Sequence, residues 1–122
     1  MRKLPLLALV ATVALAASVL VVPAASASSS LKVSVGDNFF SPTKKTIKRK
    51  TKVKWTWKGI APHNVTLAKA PSAIKSSKYA DYSSDTQTSG TFSRRLKVPG
   101  KYTFVCTIHS EMILKIKVSK ST

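Results

Sequence analysis

The sequence is short of the residues from which proteins usually build crosslinks and metal cages. It has one cysteine, Cys106, so no internal disulfide can form and stability has to come from a packed core. It has two histidines, His63 and His109, and two methionines, one of which is the initiator Met1. Acids number only four (Asp37, Asp81, Asp85 and Glu111) against 21 lysines and arginines, a formal charge of +17. There is no internal repeat and no long amphipathic helical pattern, which leaves short strands as the building material.

The scarce donors are not scattered. Cys106, His109 and Met112 follow one another at intervals of three, directly after Lys101 to Cys106. That segment reads as a strand with Tyr102, Phe104 and Cys106 on one face and Thr103 and Val105 on the other. Pro99-Gly100 is the turn that starts it. The thiol therefore stands where an inward-facing strand runs out, with the imidazole and the thioether on the loop that follows. Thiolate, imidazole and thioether form a soft set that suits copper better than the oxygen-seeking magnesium, calcium or manganese. His63, in Ala61-Pro-His-Asn-Val65, is the one further imidazole on offer. The inventory is then Cys-His-His plus one thioether, the donor set of a blue-copper centre, with nothing left over.

Plainer readings exist for each residue. A lone Cys is often a small buried hydrophobe and a lone Met core filler. An unpaired thiol in an exported chain is less innocent, being open to oxidation or to pairing between chains. Zinc would gain little from Met112. A nucleophilic Cys-His pair lacks an evident third residue to orient it.

Val53-Lys-Trp55, Pro62-His63-Asn64-Val65 and Pro99-Gly-x-Tyr-x-x-x-Cys106-x-x-His109-x-x-Met112 together resemble the cupredoxins of the plastocyanin/azurin group. The Cys-x2-His-x2-Met spacing is similar to the short ligand loop of amicyanin-like members. The resemblance spans Leu31 to Val118. It implies an all-β Greek-key sandwich of about seven to eight strands, with one copper ion held by His63, Cys106, His109 and Met112. It also implies that the backbone amide of Asn64 bonds the cysteine sulfur while its side chain ties the ligand loops; a simple loop-capping Asn is the plainer alternative. Glu111 stands where relatives usually carry a neutral or apolar residue, and is a candidate for tuning the potential or the docking surface.

In chain order, Arg2 and Lys3 precede an apolar run from Leu6 to Val22, then Pro23 and Ala25-Ser-Ala27. This is a secretory leader, residues 1–27, with an uncleaved anchor as the alternative. The remainder, 28–122, is 122 − 27 = 95 residues, enough for one domain. Two of the 21 bases lie in the leader, so the mature charge is 19 − 4 = +15. Strands are expected at Leu31–Val35, Thr46–Lys48, Lys52–Lys58, Val65–Ala68, Thr91–Val98, Lys101–Cys106 and Leu114–Val118. They alternate in the manner of an antiparallel sandwich. Pro42 bars a central strand around Phe39 and Phe40. Lys69–Gly90 is a Ser-rich excursion in which Pro71 to Lys75 can start a helical turn.

The functional expectation is an exported, periplasmic or otherwise extracytoplasmic one-electron carrier, a monomer and not an enzyme, since four protein ligands leave no open position for a substrate. A copper carrier or scavenger in envelope copper handling is the alternative. The positive field favours an acidic redox partner, an anionic membrane or a wall polymer. Nucleic acid is not expected, because no base-stacking motif is visible.

Overall fold

The computed structural model describes residues 29–122, so the expected leader at 1–27 lies outside the described residues. Eight strands form two four-stranded sheets. They are β1 (Ser30–Gly36), β2 (Phe39–Ser41), β3 (Lys44–Lys48), β4 (Thr51–Trp57), β5 (Thr66–Lys69), β6 (Thr91–Leu96), β7 (Gly100–Val105) and β8 (Ile113–Ser119). A 3-10 helix, Ser76–Tyr82, lies between β5 and β6. The first sheet runs β2-β1-β4-β6 and the second β3-β8-β7-β5.

The alternation read from the sequence places the core. Val53, Trp55 and Trp57 of β4 are buried while Lys52 and Lys54 face water. Tyr102 and Phe104 of β7 and Leu114, Ile116 and Val118 of β8 close the layer from the other sheet. Trp55 packs across the sandwich on Phe104, ring centroids 4.9 Å apart, and beside its strand neighbour Phe92 of β6 at 5.5 Å. Such aromatic contacts add roughly 0.5–1.5 kcal/mol each beyond the area they bury.

Strand direction departs from expectation. β1 pairs with β4, and β3 with β8, in parallel; the other four pairings are antiparallel. A period of two says which face is buried and nothing about the direction of the neighbour. β2 was also not expected. Asp37-Asn38 makes a two-residue hairpin with Asn38 at φ 71°, a conformation Asn tolerates, and this sets Phe39 against Gly36. Pro42 follows at once, and β2 stays a three-residue edge.

Residues 69–90 are more ordered than their composition suggests. Pro71 to Ile74 closes as a single turn, and the helix begins only at Ser76. The segment then runs along the open side of β5. Ser84 Oγ accepts the Val65 amide at 2.8 Å, and Ser83 Oγ accepts the Leu67 amide at 3.0 Å. Buried backbone donors thereby find partners without a further strand.

Candidate metal centre

The four expected ligands come from two loops at one end of the sandwich. His63 follows β4 and precedes β5. Cys106 is the first residue past β7, and His109 and Met112 fill the short connection to β8. Cys106 and Met112 are joined by a backbone bond, the Cys106 amide to the Met112 carbonyl at 3.2 Å, and the Met112 amide returns to His109 at 3.1 Å. The loop is therefore a closed turn that carries the thiol, the ring and the thioether. Cys106, Met112 and His63 are buried and His109 is half-buried.

Nitrogen and sulfur converge. Nδ1 of His63 lies 3.0 Å from Nδ1 of His109, and Sγ of Cys106 lies 3.9 Å from His109 Nδ1. One donor atom from each of the three residues falls within 4.8 Å of the others. Two imidazoles about 2.0 Å from one metal at a trigonal angle would stand about 3.5 Å apart, and an imidazole and a thiolate at about 2.3 Å would stand about 3.7 Å apart. Both separations involving His109 differ from these by half an ångström or less, and all three donors lie within 4.8 Å of one another, so the donor set fits a copper ion in chemistry and approaches its spacing.

His63 is held at every polar atom. Its amide and carbonyl bridge to Gln87 at 3.1 and 3.0 Å, and the Trp57 indole donates to the same carbonyl at 3.1 Å. Its Nε2 meets Asp37 Oδ1 at 3.1 Å. With Nε2–H donated to the carboxylate, Nδ1 is left as an acceptor aimed at the donor cluster. Asp37 also accepts from the amides of Ile60 and Ala61. The Ala61 amide, the His63 ring and the Ile60 amide together hold its carboxyl below the ordinary carboxylate value. Gly59 is required beside it: a Cβ there would fall onto the Asp37 carboxylate and within 2.9 Å of its backbone nitrogen.

Asp37 is a candidate functional residue that the sequence does not single out. In the sequence it is only one of four acids, and nothing local connects it to a ring 26 positions away.

The side chain of Asn64 does tie the loops. Its Oδ1 accepts the Thr107 amide at 3.1 Å and the Thr66 hydroxyl at 2.8 Å, while Nδ2 donates to Thr107 Oγ1 at 2.7 Å and Thr86 Oγ1 at 3.2 Å. The bond from its backbone amide to the cysteine sulfur, implied by the resemblance, is not among the hydrogen bonds of the described residues. Glu111 is exposed on the ligand loop. The exposed large hydrophobics Phe39, Ile60, Ile108 and Ile113 all lie within a few residues in sequence of Asp37 or of a ligand.

The model of the copper-binding plastocyanin/azurin family matches residues 27–119. Oxidised plastocyanin from Dryopteris crassirhizoma is 28% identical, with 73% of this chain and 100% of that chain covered and a TM-score of 0.61. A pseudoazurin from Sinorhizobium meliloti is 20% identical over 77% of this chain and 76% of its own, with a TM-score of 0.60. A reduced, Cu(I) form of an amicyanin variant is 18% identical over 76% and 85%, with a TM-score of 0.59. No curated protein sequence matches the chain.

Proposed function

The chain belongs to the plastocyanin/azurin family of copper-binding proteins, and from that premise we propose that it is an exported type 1 copper protein carrying single electrons between redox partners. The observation that carries this reading is the convergence of His63, His109 and Cys106, with a buried Met112 closing the same ligand loop. Copper in this set supplies a one-electron couple between Cu(II) and Cu(I).

The chain's own residues do the rest. Cys106 contributes the thiolate from the end of β7, a strand bonded on both sides. His63 is pinned by Gln87, Trp57 and Asp37, so its ring cannot swing when the charge at the centre changes. Asn64 locks the His63 loop to Thr107 and so fixes the spacing between the two ligand loops. Little movement then accompanies a change of oxidation state. His109, half-buried between exposed Ile108 and Ile113, offers the ring edge through which an electron would pass. Four protein donors leave no position for a substrate, which favours a carrier over an enzyme. An acidic redox protein is the partner that the charge favours.

Copper delivery is supported less well. A donating protein would keep soft donors within reach of an acceptor, whereas Cys106 is 2% and Met112 0% exposed. Export rests on the leader and on the family's habit. No helix of the described residues is long and apolar enough to cross a membrane.

The test is the absorption spectrum of the Cu(II)-loaded protein. An intense blue or green thiolate charge-transfer band should appear and be absent from Cys106→Ala. A colourless Cu(II) form, with zinc bound stoichiometrically instead, would sink the assignment. Copper retained through repeated reduction and reoxidation against a chelator supports the carrier; copper lost within a few cycles supports delivery.

A further inference from the structure

The outer face of the second sheet carries a groove of about 660 Å³ on which the copper centre does not draw. Its walls hold five lysines, Lys44, Lys69, Lys101, Lys115 and Lys117, and no acid. The strand registers place them in two rows. Lys44, Lys115, Thr103 and Lys69 line up across all four strands, and Thr46, Lys117 and Lys101 form the next row. Lys44 faces Lys115 directly, and Lys117 faces Lys101.

Like charges directly opposite on a sheet face destabilise it. Edge protection would not require them on β7 and β8, which are the central strands. Nor are they compensated: the only ion pair among the described residues is that of Asp37 with His63. A cleft of unneutralised ammonium groups, with the hydroxyls of Thr46 and Thr103 beside them, is a receptor for a multiply charged oxyanion.

We propose that this groove binds a linear phosphate polymer outside the cytoplasm and tethers the protein to it, an inference that rests on the exported location but not on the electron-carrier role. Three features select this occupant. The site is concave, and none of the exposed large hydrophobics lines it, so a bilayer would find nothing to take up its acyl region. A protein partner would be expected to meet apolar or aromatic anchors, whereas lysines are depleted from the centres of protein interfaces. The sole aromatic in the lining, Tyr102, is buried with its ring in the core, so bases of a nucleic acid would have no stacking platform. Lysines serve phosphate as point charges and need no planar fork.

The placement also separates two tasks. Lys117 lies four residues along β8 from Ile113 beside the ligand loop, about 13 Å at about 3.3 Å per residue. A polymer in the groove would leave the His109 edge free for a redox partner.

The experiment measures binding of the copper-loaded protein to inorganic polyphosphate, to polyglutamate of equal charge and to phosphatidylglycerol–phosphatidylcholine vesicles, across a salt series. The groove variant is K101Q/K115Q/K117Q. The control, K32Q/K52Q/K54Q, removes the same charge from the exposed face of the other sheet. Polyphosphate should bind most tightly, and the groove variant should lose roughly tenfold or more in affinity while the control stays within about threefold. The slope of log affinity against log salt should flatten by about two in the groove variant, as expected for three lost phosphate contacts. Equal losses in both variants would overturn the proposal in favour of the general field. Polyglutamate or vesicles binding as tightly as polyphosphate would overturn the choice of ligand, and no binding at all would overturn the site. The charge-transfer band reads the copper centre separately: its presence in both variants shows them folded, and its absence from all three proteins would count against the copper reading alone.

Discussion

Asp37 and His63 meet at 3.1 Å across 26 positions of sequence, the carboxylate on the ring nitrogen that points away from the ligand cluster. A carboxylate behind a metal-bound imidazole raises its basicity and fixes its orientation, and loss of such a partner typically costs 10–100-fold in metal affinity.

Asp37→Asn is therefore expected to weaken Cu(II) binding more than Cu(I) binding and so to raise the midpoint potential. Each tenfold difference between the two oxidation states amounts to about 59 mV for one electron. Potentiometric titration checks it. Gly59→Ala, which pushes Asp37 aside, should move the potential in the same direction. An unchanged potential in both would reduce Asp37 to a loop anchor.

Asn64→Ala removes the acceptor of the Thr107 amide and three further bonds at a site only 6% exposed. A buried donor left without a partner costs about 1–3 kcal/mol. Urea unfolding of the metal-free variant should show a loss of that size with the slope unchanged, and the Cu(II) band should shift as the two loops lose register. A band of unaltered position and width would show that Asn64 serves stability alone.

Tyr102 gives a prediction at alkaline pH. Burial, helped by nearby Tyr82, pushes its phenol up to about 12, and its hydroxyl donates to the Val98 carbonyl at 2.6 Å. The unfolded chain ionises this group near pH 10, so the folded protein holds the proton longer. Stability from this residue is complete below about pH 10 and is lost as the pH rises towards about 12. Denaturant midpoints across that window should fall in the wild type and fall less steeply in Tyr102→Phe. Parallel curves would remove Tyr102 from the account.

The mature charge, 19 − 4 = +15 once residues 1–27 are removed, predicts salt-sensitive association with an acidic redox partner. Exposed charges are screened beyond roughly 10 Å at 0.1 M salt, so the association rate should drop on the order of tenfold from low to moderate salt while dissociation changes little. A rate flat over that range would leave the lysines without a steering role at the copper end.

Much of the centre was legible because its residues are rare and close in sequence. Cys106, His109 and Met112 share one turn, and His63 was the only imidazole left to join them. The burial of Val53, Trp55 and Trp57 followed from alternation alone. Asp37 was not legible, because its role depends on a hairpin turning back beside the 59–63 loop. The parallel pairings of β1 with β4 and β3 with β8 were hidden for a related reason: they are set by packing between distant segments. The 3-10 helix at Ser76–Tyr82 escaped because Tyr79 and Tyr82 are its only apolar contacts with the core, too few to make a period.

The serines that flank β5 have a consequence for the protein among its own copies. Ser83 and Ser84 occupy the amides of Leu67 and Val65, the groups that a foreign strand would seize first. To extend the second sheet at this side, an incoming chain would have to evict two hydroxyls and peel away the segment that carries them. Amyloid-like accretion at this edge is therefore opposed by ordinary side chains as well as by the exposed Lys69 of β5.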